Sequence, residues 1–359
     1  MKDLKSRLTS AKTPIIIGIA VVVLLFVFLA CNGSGAQIRS LFPVGWLGNE
    51  ISADEETGFG GAVVTKRGVD MDEIYSETIY MPLGDGTYIH AEAVFPEDAF
   101  GGAATKEEID TDMNAVPLVL MGHGFTGTYN SGGAKELAHR LAEAGFATIR
   151  MDFDPKTAPS EKAANTNFYT LESMEEAMKI AADYMCGSYA IDEDAVYLYA
   201  RSMGGRVAMM MANESYGGYD YKAMALVAPA GNEEAMIYYM GGPETWEKMK
   251  KEAGAAGKGY TEKQGQKLVP EWFTQFEEYN PCDFGYKFGE KPVLVIYNTE
   301  DNVVTAETSK ECAAAYENAT EIEVTTEDGH GYEMGYKESE LKEQLMSAIV
   351  EFFNEARGE

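Results

Sequence analysis

Cysteine and histidine are both scarce in this chain, and each shortage narrows what the chain can do. Its 359 residues hold four of each. Cys31, Cys186, Cys282 and Cys312 show no C-x-x-C spacing, so neither a cysteine metal site nor a disulfide framework is legible, and the three beyond Cys31 cannot all pair with one another. Cations are the second shortage: 29 lysines and arginines face 58 aspartates and glutamates, for a net charge of −29. A surface of that sign repels phosphate backbones and anionic headgroups, which argues against nucleic-acid binding and peripheral lipid docking. Internal repeats and low-complexity tracts are lacking too.

Hydrophobic residues are plentiful at 45%, enough for a sizeable core in one large domain or two small ones. One uncharged run, from Pro14 to Cys31, follows Lys2, Lys5, Arg7 and Lys12. The run is longer than a typical signal-peptide core and approaches bilayer-spanning length, so residues 1–31 read as an uncleaved membrane anchor with the remainder outside the cytoplasm. Cleavage near Gly33 to Ala36, giving a secreted protein, and lipid attachment at Cys31 are the alternatives. Residues 32–74 read as a tether and lead-in.

From residue 75 onward the pattern becomes regular. Two alternating runs, "ETIYMPL" and "TYIHAEAVFP", flank Gly84-Asp85-Gly86 and predict a hairpin. An acidic, aperiodic stretch from Glu97 to Asn114 reads as a surface loop. Short apolar strands then alternate with amphipathic helices: strands at 116–121, 146–152, 196–199, 223–228, 292–297 and 321–325, with helices at 133–145, 171–185, 206–212, 306–318 and 338–356. Continuous apolar strands separated by helices predict an α/β fold with a mostly parallel, doubly wound sheet. A long insertion at about residues 231–290, after the sixth strand, contains Tyr238, Tyr239, Trp246, Trp272, Phe273 and Phe276. Most of these rings are expected to form the insertion's own core, with one or two lining a pocket.

The stretch "VYLYARSMGGRVA" (196–208) is a strand, a sharp turn and a helix start. A serine on such a turn stands clear of the sheet, with the helix N-terminus beside it to meet developing negative charge. Gly204 and Gly205 supply the small residues on the helix side. Ala200 stands where a glycine is usual, so this is A-x-S-x-G, a departure from the nucleophile-elbow pattern G-x-S-x-G.

A serine nucleophile needs a base, and the base needs an orienting acid. His90 lies inside a strand and His139 among charged residues of a helix, both in structural or surface settings. His123, in "GHGFTG" after a strand, competes with His330, in "EDGHGY" after the last strand. Asp301 falls in the loop at the end of "PVLVIYN", with Glu300 as the fallback acid. Strand-end loops of a parallel sheet share one face, which brings Ser202, Asp301 and His330 together in the order Ser, Asp, His.

With these pieces in order, residues 75–356 resemble the α/β-hydrolase superfamily. The matching parts are the hairpin, "HGFTG", "ARSMGG", the acid in "YNTEDNVV" and the histidine in "DGHGY". Within it the chain looks most like the esterases of the feruloyl-esterase and serine-aminopeptidase-like branch. It departs from that pattern in "DFDPKTAPSEKAANTN", which lacks the glycine-rich turn common there. The resemblance implies an α/β-hydrolase domain over 75–359 with a helical cap. It implies that Ser202 attacks a carbonyl carbon, that His330 shuttles the proton and that Asp301 orients the imidazole. The oxyanion would lie between the backbone N–H groups of Phe125 and Met203, with Gly124 in the same loop and His123 packed beside it without transferring protons. The expected activity is hydrolysis of carboxylic esters of small or medium acyl or aromatic acids, with no metal or organic cofactor required and a small-molecule ester as the substrate. Peptidase, lipase or acyltransferase activity on the same machinery is the runner-up.

Two readings from other classes compete. "GHGFTG" also fits the dinucleotide signature G-x-G-x-x-G, with Asp152 as the ribose-binding acid, which would make the protein an oxidoreductase. That reading leaves Ser202, Asp301 and His330 unexplained. The other is a non-catalytic hydrolase-fold binding module, since a fold alone proves no activity.

Overall fold

The computed structural model describes residues 56–57, 61–69, 74–96 and 115–358. The expected anchor or signal segment, residues 1–31, and the acidic loop 97–114 lie outside the described residues. Among those described, no helix is long and apolar enough to cross a membrane.

Strands β1 (Glu56–Thr57) and β2 (Val63–Val69) lead into the hairpin of β3 (Tyr75–Pro82) and β4 (Tyr88–Phe95). Next come β5 (Val116–Gly122), α1 (Ala134–Glu143), β6 (Ala147–Met151) and α2 (Leu171–Ser188). They are followed by β7 (Ile191–Arg201), α3 (Ser202–Glu214) and β8 (Met224–Val227). After the insertion the chain resumes with β11 (Val293–Asn298), α7 (Ala306–Ala314), β12 (Ala319–Val324) and α8 (Glu340–Arg357).

Ten strands form one mixed sheet, ordered β1-β2-β3-β4-β6-β5-β7-β8-β11-β12. The pairs from β1 to β6 are antiparallel and those from β6 to β12 parallel. β1 and β2 fall inside the stretch that reads as a tether, because Lys66, Arg67 and Gly68 interrupt the apolar alternation of β2. The chain leaves β5 for β6 on one side and later places β7 on the other. The carboxyl ends of β5 and β7 therefore flank a topological switch point, where ligands of open parallel sheets bind.

The apolar strands follow from burial on both faces. Leu118, Leu120, Leu198 and Val295 point into one core layer with α2 and α3, while Val119, Met121, Tyr197 and Ile296 point into the other with α1 and α8. At the start of α2 the hydroxyls of Thr170 and Ser173 each accept from the other's backbone N–H, a capping box that sets where the long loop from β6 ends.

The cap comprises α4 (Glu233–Tyr239), α5 (Pro243–Ala253), a hairpin of β9 (Thr261–Lys263) and β10 (Gln266–Leu268), α6 (Pro270–Glu278) and a 3-10 segment, Pro281–Phe288. Trp246, Trp272, Phe273 and Phe276 pack on one another as its core, and Tyr238 is exposed. Arg206, fully buried on α3, holds the cap from below. Its guanidinium donates to the carbonyls of Gly231 at 2.9 Å and Phe276 at 3.0 Å, and to Tyr279, and lies over the Phe276 ring. Burial lowers its pKa to about 10, which leaves it charged at neutral pH.

Candidate active site

β7 runs directly into α3, and Ser202 stands at the junction with φ 53°, in the left-handed region that a non-glycine residue occupies only when its surroundings hold it there. The Ala230 N–H donates to the Ser202 carbonyl at 3.0 Å. A Cβ on Gly204 would stand 2.4 Å from the His123 carbonyl oxygen, and one on Gly205 3.0 Å from Pro229. Close approach therefore requires glycine at 204 and leaves only tight room for a side chain at 205. The departure at Ala200 has a simple accommodation: it pairs with Gly122 on β5, where a Cβ would already be 3.4 Å from the Ala200 methyl.

His330 lies in a 3-10 turn, Gly329–Gly331, beyond β12, and its Nδ1 is 2.7 Å from Asp301 Oδ2 in the loop beyond β11. The Asp301 side chain is sealed from solvent. Its Oδ1 accepts from the N–H groups of Val303 at 2.8 Å and Val304 at 3.0 Å, and its Oδ2 also accepts from the Tyr332 hydroxyl at 3.2 Å. Those donors fix the carboxylate toward His330. Burial and the Asp301 charge push the Tyr332 phenol well above its usual pKa, so it stays a donor. Glu300 is exposed and does not take this place.

Ser202 and His330 line one cavity of about 170 Å³ with Gly124 and Phe125 of the loop after β5. Ala230, Val303, Val304 and, from cap helix α4, Ala235, Met236 and Tyr239 complete it, so the lining side chains are apolar apart from the serine, the histidine and the Tyr239 hydroxyl, which donates to Gln264. Tyr239 is the one aromatic residue of the cap in that lining. Met203, buried, follows Ser202 in the first turn of α3.

His123 is buried under the same loop with both nitrogens engaged. Nδ1 is 2.7 Å from the Gly124 carbonyl, and Nε2 accepts from the Phe153 N–H at 3.0 Å. These partners dictate a neutral ring with its proton on Nδ1, and burial lowers its pKa in the same sense. His123 is therefore a brace for the loop. His90 pairs with Asp152 at 3.1 Å and stacks on Tyr80, and neither His90 nor His139 lines the cavity.

The same geometry removes the basis of the dinucleotide reading. Within "GHGFTG" the Gly127 N–H is spent on the Gly124 carbonyl and the Thr126 N–H on the Tyr169 hydroxyl, while α1 begins only at Ala134. Asp152 holds His90 and the Tyr129 N–H and is buried, so it is not open to a ribose. Among the described residues, no group of three or more His, Cys, Asp or Glu side chains is arranged to hold a metal ion.

Three residues of the site escape the sequence pattern. Arg201 donates to the carbonyls of His330 and Gly132. Asn298, fully buried at the end of β11, donates to the carbonyls of Thr326 and Gly329 and accepts from the N–H groups of Thr326 and Glu300, fastening the histidine loop to the acid loop. Tyr332 donates to Asp301 and accepts from the Asn298 N–H. Only their places in the chain could have marked them: Arg201 next to Ser202, Tyr332 two residues after His330 and Asn298 three residues before Asp301.

This sheet order with a strand–serine–helix junction at its switch point defines the α/β-hydrolase fold. Neither a protein-family model nor a curated protein sequence matches the chain. Solved structures do. Est1E from Butyrivibrio proteoclasticus is 21% identical, with 79% of this chain and 99% of that chain covered at a TM-score of 0.56, and the same protein with ferulic acid bound aligns at 0.57. The alpha/beta hydrolase GrgF from Penicillium sp. sh18 is 12% identical, covering 78% of this chain and 98% of its own at 0.57. An acetyl xylan esterase from Paenibacillus sp. R4 is 15% identical, covering 81% and 88% at 0.54. At these identities the likeness is one of fold.

Proposed function

We propose that the protein is a serine hydrolase that cleaves carboxylic esters of small acyl or aromatic acids. The observation that carries this reading is the shared cavity of Ser202 and His330, with His330 held by a buried Asp301 at 2.7 Å. In it, His330 takes the Ser202 hydroxyl proton as Oγ attacks the ester carbonyl carbon, and Asp301 stabilises the imidazolium. The carbonyl oxygen, now an anion, is met by the backbone N–H groups of Phe125 and Met203, each such donor contributing about a hundred- to a thousandfold in rate. Collapse breaks the ester C–O bond, the alcohol leaves with the proton from His330, and the acyl group remains on Ser202. Water then attacks the acyl-enzyme with His330 again as base, releasing the acid.

Cavity size and polarity support the substrate class. About 170 Å³ is close to the roughly 150 Å³ that holds one benzene ring, and the lining contains no lysine or arginine to hold an anionic group. A single aromatic ring or a short acyl chain suits that space better than a long lipid chain. Est1E, with ferulic acid bound, is an example of the fold holding an aromatic acid. The basic flank and apolar run of residues 1–31 support a site of action outside the cytoplasm, tethered or secreted; protease accessibility in intact cells tests that placement.

The deciding experiment is fluorophosphonate labelling with peptide mapping, alongside turnover of a p-nitrophenyl ester series by wild type and Ser202→Ala. Labelling at Ser202 with turnover of short or aryl esters is expected. Labelling without ester turnover turns the assignment to a peptidase or acyltransferase, and preference for long chains to a lipase. A folded protein that neither labels nor turns over is a binding module.

A further inference from the structure

The insertion begins at Gly231 and its last turn contains Cys282, and both ends meet the core at the same point, Cys312 of α7. Cys282 and Cys312 are 30 positions apart in sequence, yet their sulfurs are 3.5 Å apart. Gly231 is pressed against both: a Cβ there would stand 2.2 Å from Cys312 Sγ and 3.0 Å from Cys282 Sγ. Asn213 of α3 fixes the two segments independently, donating to the Pro281 carbonyl at 2.9 Å and accepting from the Tyr316 hydroxyl at 3.2 Å. The neighbours on either side are tied as well, Asn232 Nδ2 donating to Glu311 Oε2 at 2.6 Å.

We propose that Cys282 and Cys312 are a redox site, oxidised to a disulfide that locks the carboxyl-terminal end of the cap to the core at the point where its other end, Gly231, packs. The gap left between contact and a covalent bond, about 1.5 Å, is within reach of side-chain rotation. The oxidant is a small or protein-borne disulfide. Cys282, half-buried, is the thiol it can reach, and Cys312 is buried behind it. The Cys282 thiolate attacks one sulfur of the oxidant and expels its partner as a thiolate, giving a mixed disulfide. The Cys312 thiolate then attacks Cys282 Sγ, forms the intramolecular bond and expels the second thiolate. Two protons and two electrons leave the protein, and one disulfide becomes two thiols. The bond closes a loop that contains β11 and the Asp301 loop, so it ties the root of the cap to the segment carrying the proposed acid. The inference does not depend on the hydrolase reading, because its test uses no substrate.

The test equilibrates the full-length protein with oxidised glutathione or with dithiothreitol, blocks remaining thiols, and maps peptides without reduction. The expected result is a Cys282–Cys312 cross-linked peptide in the oxidised sample, with Cys186 and Cys31 alkylated, and a melting temperature higher by about 5 °C. That shift is expected to vanish in Cys282→Ser. The proposal is overturned if both thiols stay fully alkylatable after oxidation, if the link joins either to Cys31 or Cys186, or if Cys282 stops at the glutathione adduct. Should the Cys282→Ser protein fail to fold, the wild-type peptide map decides alone.

Discussion

The guanidinium of Arg201 donates to the His330 carbonyl at 2.9 Å, so the residue immediately before the proposed nucleophile holds the loop of the proposed base. The same group reaches the Gly132 carbonyl at 3.3 Å and lies over the Tyr332 ring. One side chain at the end of β7 thus sets the spacing of the loops that follow β5 and β12. Loss of that spacing is expected to misplace the imidazole by a fraction of an ångström. Arg201→Met should lower kcat by about ten- to a hundredfold with little change in KM, and Arg201→Lys should recover only part, because an ammonium cannot fork to several carbonyls. Steady-state kinetics on a short ester measures this; an unchanged kcat in the methionine variant would remove Arg201 from the site.

Asp301 and Glu300 are adjacent in sequence, but only Asp301 touches His330. Asp301→Asn should lower kcat by about ten-thousandfold, since an amide cannot hold the required tautomer or stabilise the imidazolium. Glu300→Gln should leave kcat unchanged. Comparable losses in the two variants would show that the acid assignment is wrong.

His123 links pH to stability rather than to rate. Burial lowers its pKa from the ordinary 6.5, so the unfolded chain takes up a proton on this ring at a pH where the folded chain does not. Its neutral state therefore contributes fully above about pH 6.5 and is lost as the pH falls below it, with a slope of up to about 1.4 kcal/mol per pH unit. His123→Leu should cost about 1–3 kcal/mol at pH 7.5, from the buried Phe153 N–H left without an acceptor, and the gap to wild type should narrow by pH 5. Urea unfolding of both proteins at the two pH values tests the sign; a gap that widens in acid contradicts it.

Met236 reaches the cavity from the cap. Met236→Ala should enlarge the space and move the preferred acyl chain upward by about one to three carbons. Met236→Trp should suppress aryl esters while acetate esters survive. An acyl-length series on the two variants is the measurement, and identical profiles would place the acyl group elsewhere.

Much of the fold was legible because its strands and helices carry strong local patterns. The buried run "VPLVLM" and the amphipathic period of α1 identify themselves, and four histidines leave few candidates for a base. β2 was hidden because Lys66, Arg67 and Gly68 break its alternation. Ala200 looked like a flaw in the elbow until its partner across the sheet proved to be Gly122. Between His123 and His330, both after strands and both flanked by glycine, it was the resemblance and the chain order that favoured His330, and no local pattern separates them.

By itself, the sequence determined the alternation of strand and helix, the position of the insertion, the strand–serine–helix junction and the order of serine, acid and histidine. These follow from hydrophobic period and turn chemistry, which act over a few residues. The tertiary structure alone decided that His123 spends both nitrogens on backbone, that Asp301 rather than Glu300 meets His330, that Arg201 ties two loops to the end of β7 and that Cys282 faces Cys312. Each of those is a contact of a few ångströms between segments distant in sequence. Such distances are set by how whole elements pack across the sheet, and no local pattern encodes them.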